Sequence, residues 1–438
     1  MKSIVLNITQ TAAGLVGALA LLFSVSSQAS LKPLTDIAAF QTIAVEGEDI
    51  PAALGEAIDT LSLAAVIDDE MEPIPFQIDE YNEGGAVYFE GWSVPIAGAQ
   101  HILDKTDKLL FLQKDAGTRR LAEHRFDGQF VAEVALMGGD GVTRYVYLLK
   151  DSRLRSDEQY VRYSAEDGLV ETDFYSLAYN QENHVVWDDF TIMNYSGDEN
   201  PLDSLKLRLD AGLLTSFSTT TLNNDQIVAQ PAGENIGPIR TTTQLDLTLW
   251  LFKVPMLQVS LQIHHYPKSV IYDARMVIPA VRRKLLVNPT LSMSLDGNNL
   301  LGTTVRTALG PKQAGIVDGE INDIEHQMIE ASASAVNNWI WASTHRNLDI
   351  LAFFEFLGET MEPISTQYLD DKLMVDEPER FVGQLPNMGY RIENLPDDGF
   401  FGFATSIYIS NGFKGEPEDF TQAIRTMPEL RVTQVKKG

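Results

Sequence analysis

The chain has 438 residues, with 61 Asp and Glu against 33 Lys and Arg, for a formal net charge of −28. At 44% hydrophobic residues it can bury a core and is not a disordered acidic tail, and its charge opposes nucleic acid and anionic lipid as partners. The absence of cysteine excludes disulfides, thiolate metal sites, iron–sulfur clusters and thiol catalysis, and seven histidines leave little room for a histidine-rich metal site.

Residues 1–29 read as an export signal. Lys2 supplies the positive start, residues 12–25 are apolar without a charge, and Ser27-Gln28-Ala29 places small residues at the cleavage position. The apolar run is about 14 residues, short of the roughly 20 that span a bilayer. Cleavage is expected after Ala29, leaving a mature chain in the periplasm or outside the cell, with 32 basic against 61 acidic residues. No later stretch is long and apolar enough to span.

Residues 51–64 have the length for one or two helical turns. Two distinctive stretches follow, Ile74-Pro75-Phe76-Gln77-Ile78-Asp79-Glu80 and Leu103-Asp104-Lys105-Thr106-Asp107-Lys108-Leu109-Leu110-Phe111, the second running on to Lys114-Asp115-Ala116-Gly117. Asp79, Glu80, Asp104 and Asp107 offer oxygens to Ca²⁺, which takes six to eight. Asp104 and Asp107 serve equally as turn-capping acceptors before a strand. A turn at Gly138-Gly139-Asp140-Gly141 precedes a strand at 142–149. The charged run at 150–158 marks a domain boundary, which gives an N-terminal β-sandwich at 30–155 and a large antiparallel β-sandwich at 156–438.

The strongest alternation lies at 244–251, where every odd position is Leu, and it resumes in phase at 257–263. This is an antiparallel hairpin with one buried and one polar face. Strands are also expected at 269–278, 348–356 and 400–409, and short helices at 324–335 and 418–426. Turns fall at Asp296-Gly297-Asn298-Asn299 and Pro396-Asp397-Asp398-Gly399. Clean βαβ alternation is absent, so the fold class is mainly β with few short helices.

The Pro75-Phe76-Gln77-Ile78-Asp79 strand and the Asp-rich turn leading into Leu109-Leu110-Phe111 resemble the N-terminal β-domain of uncharacterised secreted bacterial proteins, some associated with carbohydrate use. Gly237-Pro238-Ile239-Arg240 resembles the entry to their second domain, which is similar to a galactose-mutarotase-type supersandwich. The resemblance implies a small β-sandwich followed by a supersandwich. It covers about a quarter of the chain and brings no catalytic motif. Where family members carry Asp-Gly-Asp-Gly in the turn, this chain has Asp104-Lys105-Thr106-Asp107, which departs from a calcium loop.

No Gly-x-Ser-x-Gly elbow, Walker loop, His-Glu-x-x-His or Gly-x-Gly-x-x-Gly is present, and no cofactor is expected. The hairpin's polar face carries Gln244, Asp246, Thr248 and Trp250 on one strand and Gln258, Ser260, Gln262 and His264 on the other. These groups hydrogen-bond sugar hydroxyls and stack on pyranose rings; a solvated outer sheet face uses the same residue types. Asp273 and Arg275 share a face of the next strand, as a substrate clamp or as a cross-strand ion pair. His264 is the one candidate for acid–base work, whereas phase sends His265 to the core. Glu320, Asp323, Glu325 and His326 form an acidic turn. Trp92, Trp187, Trp339 and Trp341 are stacking platforms or packing residues. Three functions remain open at this point. They are a carbohydrate-interacting protein, catalytic or not; a carrier for lipid or hydrocarbon with the leucine face lining a cavity; and an envelope component with a protein partner.

Overall fold

The computed structural model describes residues 31–434 except 198–199, 252–253, 334–337, 359–363, 376, 382–384 and 394. The export signal expected at 1–29 therefore lies outside the described residues, as do residues 252–253 of the break that the sequence places at 252–255 in the central hairpin; residues 254–255 of that break belong to its second strand. Alternating sequence becomes sheet almost throughout. Among the described residues there are five antiparallel sheets and four α-helices of four to nine residues. The chain from Pro33 onward forms one compact unit. No helix among the described residues is long and apolar enough to cross a membrane.

A first sandwich pairs a three-stranded sheet (Thr42–Glu46, Lys108–Leu112, Gln77–Asp79) with a five-stranded one. The second runs Glu429–Gln434, Gln129–Met137, Thr143–Lys150, Leu61–Ile67, Glu70–Pro73. Ile43, Val45, Leu63, Leu109, Phe111, Val134 and Leu148 fill the space between them, all buried. Each such side chain stabilises the fold by roughly 1.5–3 kcal/mol relative to exposure. Residues 51–64 depart from the helical expectation. Only a single 3₁₀ turn forms, at Ile58–Thr60, and Leu61–Ile67 is a strand buried on both faces between two neighbours. An unbroken apolar run carries no period, so pairing decides its conformation.

A second departure concerns the domain division. Glu429–Gln434, which the sequence places with the large domain, pairs residue for residue with residues 132–137 of the strand Gln129–Met137 and forms an edge of the first sandwich. Leu430 and Val432 pack on that sandwich's core.

The larger sandwich sets a nine-stranded sheet against a six-stranded one, with a four-stranded sheet over residues 162–192 beside them. The hairpin forms as its alternation requires, Thr241–Leu251 on Val254–Tyr266, with Gln244 opposite Gln262 and Asp246 opposite Ser260. Its neighbours Ser269–Ile278 and Gly399–Ser410 complete the sheet's centre. Leu245, Leu247, Leu249, Val259 and Ile263 are buried and, with Leu257, belong to one core with Leu205, Leu209 and Met293 of the six-stranded sheet. The void among them is about 50 Å³. That is too small for an acyl chain, so the leucine face is a packed core and not the open cavity that a lipid carrier requires.

Removing residues 429–438 is expected to lower the melting temperature by several degrees, because it exposes the edge of Gln129–Met137 and part of the first core. Thermal unfolding followed by circular dichroism measures this. An unchanged melt would show that the last strand contributes nothing.

Candidate functional site

The two motifs singled out by resemblance meet in space. Gln77 Oε1 accepts the backbone N–H groups of Ile239 (3.0 Å) and Arg240 (2.8 Å), and its Nε2 donates to Asp79 Oδ1 at 2.8 Å. Asp79 Oδ2 accepts from Arg240 Nε at 2.7 Å and lies 2.6 Å from the same guanidinium's Nη2. Asn235 donates to the remaining Asp79 oxygen. Arg240 also donates to the Tyr266 hydroxyl at 2.6 Å and the Tyr81 hydroxyl at 3.1 Å. Asp79 is 1% exposed and Arg240 5%, so a buried ion pair with its hydrogen bonds largely satisfied joins the first sandwich to the entrance of the hairpin. Gly237 is required by this approach, since a Cβ there would lie 2.2 Å from Gln77 Oε1.

From Asp79 the chain runs on across the hairpin's polar face. Asn82 Oδ1 accepts from the N–H groups of Gly84 and Ala86 and folds the segment into a turn, in which Gly85 has φ +72°. Gln262 then treats Val87 as a strand would, accepting from its N–H at 3.1 Å and donating to its C=O at 2.8 Å. Arg275 pairs with Asp273 through Nε (2.8 Å) and Nη2 (2.9 Å), and donates to the carbonyls of Gly84 and Gly85.

The sequence candidates therefore divide. Gln244 and Gln262 are buried, Gln244 donating to Ser260 Oγ at 2.7 Å and Gln262 fastening the covering segment. His264 is 7% exposed and shares a 2.9 Å hydrogen bond with Thr242 Oγ1. Burial, with Arg240, His265 and Arg275 adding to it, drives its pKa well below the usual value, so the ring is neutral. Asp273 and Arg275 form the ion pair that also holds the segment. Trp250 is exposed at the far end of its strand.

What stays open is a groove of about 560 Å³ between the segment and the sheet. Trp92, Asn82 and Val94 line one side; Asp246, Thr248, Gln258, Ser260 and Arg275 line the other, with Phe400 at the rim. Of the residues singled out from the sequence, it brings together Trp92, Asp246, Thr248, Gln258, Ser260 and Arg275. Asp246 is exposed and makes no side-chain hydrogen bond or ion pair among the described residues. Phe400 and the role of residues 79–94 were not foreseen. The run Tyr88-Phe89, Gly91-Trp92 after a Gly-Gly turn was the signal available for them.

The remaining candidates lie apart from the groove. Asp104 and Asp107 act within their own turn, Asp107 accepting the N–H of Asp104 at 2.8 Å and Asp104 that of Thr106 at 3.0 Å. Burial, with the charges of Asp104 and Glu80, pushes Asp107 up to about 6. The one carboxylate trio among the described residues whose oxygens all lie within 4.8 Å of one another is Asp203, Asp296 and Glu379, none of them foreseen. Glu325 caps its own helix through Asn322, and Glu320 pairs with Lys372. His265 is fully buried on the core face, 3.2 Å from the Tyr179 hydroxyl, and burial holds its pKa at about 3.

No protein-family model matches the sequence, and no curated protein does. Among solved structures, an α-mannosidase from Enterococcus faecalis aligns over 91% of this chain and 44% of its own, at 9% identity and TM-score 0.44. A putative mutarotase from Salmonella typhimurium aligns over 60% of this chain and 94% of its own, at 9% identity and TM-score 0.32. A heparan sulfate lyase from Pedobacter heparinus aligns over 65% and 44%, at 9% identity and TM-score 0.33. The chain thus spans less than half of the mannosidase and of the lyase. At these identities and scores the likenesses carry no argument about chemistry.

Two outcomes follow from the buried groups. Asp79→Ala is expected to destabilise the protein by about 3–5 kcal/mol, since it strands the Arg240 charge in the interior. The double variant Asp79→Ala/Arg240→Met should recover part of that loss in urea unfolding, whereas strict additivity would show no coupling. The unfolded chain protonates His265 near pH 6.5, but the folded protein holds it neutral down to about pH 3. Stability present above pH 6.5 is therefore lost as the pH falls towards 3, and His265→Gln should flatten that loss by about one proton's worth of slope. An identical slope in the variant would assign the proton uptake elsewhere.

Proposed function

We propose that the protein binds a carbohydrate in the groove between Trp92 and the open part of the hairpin's polar face. The observation that carries this reading is the pairing of an aromatic wall with an exposed Asp246 that has no partner of its own. A pyranose offers an apolar C–H face to an indole and hydroxyls that a carboxylate, an amide and hydroxyl side chains accept from or donate to. Asp246, Gln258, Thr248 and Ser260 supply those groups within one cross-strand neighbourhood. The groove's volume falls within the roughly 300–1,000 Å³ of small-molecule sites.

Binding is favoured over turnover. Glycoside hydrolysis by the usual route requires two carboxyl groups flanking the bond. Asp246 is the one carboxylate among the residues lining the groove, and Asp273 is tied to Arg275. His264 is buried and bonded to Thr242. On this reading the sugar is met in the periplasm or outside the cell, where the segment 1–29 directs the chain.

Titration calorimetry of the mature protein against neutral sugars, uronic acids and oligosaccharides tests the assignment. Trp92→Ala and Asp246→Ala are each expected to weaken the sugar that binds by about tenfold or more, about 1.4 kcal/mol, with the melting temperature unchanged. Trp250→Ala should leave affinity intact. Binding that survives both groove substitutions would place the site elsewhere, and a panel with no binder would remove the reading.

A further inference from the structure

The outer face of the six-stranded sheet holds a charged group in an unusual position. Lys206 points outward from the strand Leu202–Leu213, yet its side chain is 0% exposed. Its Nζ contacts Asp296 Oδ2 and lies 2.9 Å from Glu379 Oε1, with those side chains 2% and 10% exposed. Asp296 sits on the adjacent antiparallel strand Leu286–Gly297. Ser204 is opposite Asp296 and Lys206 opposite Ser294, so lysine and aspartate are diagonal neighbours on one face. Glu379 arrives from a different part of the chain. Its neighbour Arg380 is anchored by backbone N–H contacts to the two Asp203 oxygens at 2.9 and 3.1 Å. Asp203, the third carboxylate of the trio, is thereby committed to the segment that brings Glu379 in.

We propose that Lys206 and Asp296 are joined by an amide bond between Nζ and Cγ, formed by the protein itself with Glu379 as the proton-transfer group. The arrangement supplies what such a condensation needs. Two hydrogen-bonded strands fix the amine beside the carboxyl carbon, replacing a bimolecular encounter with a held geometry. Burial keeps out the water that would drive the reaction back, and removes the charges whose desolvation opposes folding. Glu379 touches the same nitrogen and is the group placed to move its protons.

The step balances without a co-reactant. The ammonium and the carboxylate condense to an amide and one water. The Nζ–Cγ bond forms as one Cγ–O bond of Asp296 breaks. Two of the three ammonium protons leave with that oxygen, relayed by Glu379, and the third remains on the amide nitrogen. Nothing is oxidised or reduced.

The test is the intact mass of the purified protein, with its N-terminus first fixed by sequencing. The expected mass is below the sequence mass by one water. Protease digestion should then yield a single branched peptide containing both Lys206 and Asp296. Glu379→Gln and Lys206→Arg should restore the full mass. A wild-type protein of full sequence mass would overturn the proposal and leave an ion pair. Asp296-Gly297 is also a sequence that closes to a cyclic imide with loss of water. A water lost from that peptide alone, with the Lys206 peptide recovered free, would overturn it equally.

Discussion

The buried pair of Asp79 and Arg240 is the contact on which the rest of the arrangement depends. Two charges removed from water are tolerated only when nearly every donor and acceptor around them finds a partner. Gln77, Asn235, Tyr81 and Tyr266 supply those partners here. The partners come from both sandwiches, so the pair fixes their relation as well as its own. It also fixes a direction. Tyr81, held by Arg240, launches the chain across the sheet, which brings Val87 under Gln262 and the Gly84–Gly85 carbonyls under Arg275. The groove is what this crossing leaves uncovered.

A polar sheet face thus serves two purposes. Its inner rows, Gln262 and the Asp273–Arg275 pair, act as hydrogen-bonding surface for another part of the same chain, while Gln244 bonds Ser260 within the hairpin. Its outer row keeps Asp246, Thr248 and Gln258 for solvent or ligand. The same residue types appear in both, because a backbone segment and a sugar present similar donors and acceptors. His264 belongs to the inner group: neutral and bonded to Thr242, it is a structural ring, not an acid.

The parts of the fold written in local alternation were legible. The hairpin, the strands Ser269–Ile278 and Gly399–Ser410, and the core position of His265 all follow from a period of two. What escaped was set by partners far along the chain. Leu61–Ile67 reads as an apolar run of no definite period, and neighbours on both edges make it a strand. Glu429–Gln434 alternates weakly and is claimed by a strand near residue 130. At the groove, composition identified Asp246 and Arg275 but gave no means to separate them from Gln262. That separation is made by residues more than 150 positions earlier. Lys206 drew no reading from the sequence and Asp296 was read as part of a turn, because the Glu379 that meets them is brought in from far along the chain.

The strand Glu429–Gln434 has a consequence for the order in which the protein is assembled. The first sandwich is encoded almost wholly by the first 150 residues, yet one edge of its larger sheet is a strand that the ribosome makes only after the larger sandwich. A domain emerging first would ordinarily fold as a unit while synthesis continues. Here Gln129–Met137 keeps an open hydrogen-bonding edge until the whole larger sandwich has followed it. An unpaired edge is a template for the wrong partner. A chain exported unfolded and released all at once would meet both ends of this sheet together, and the long exposure of that edge would not arise.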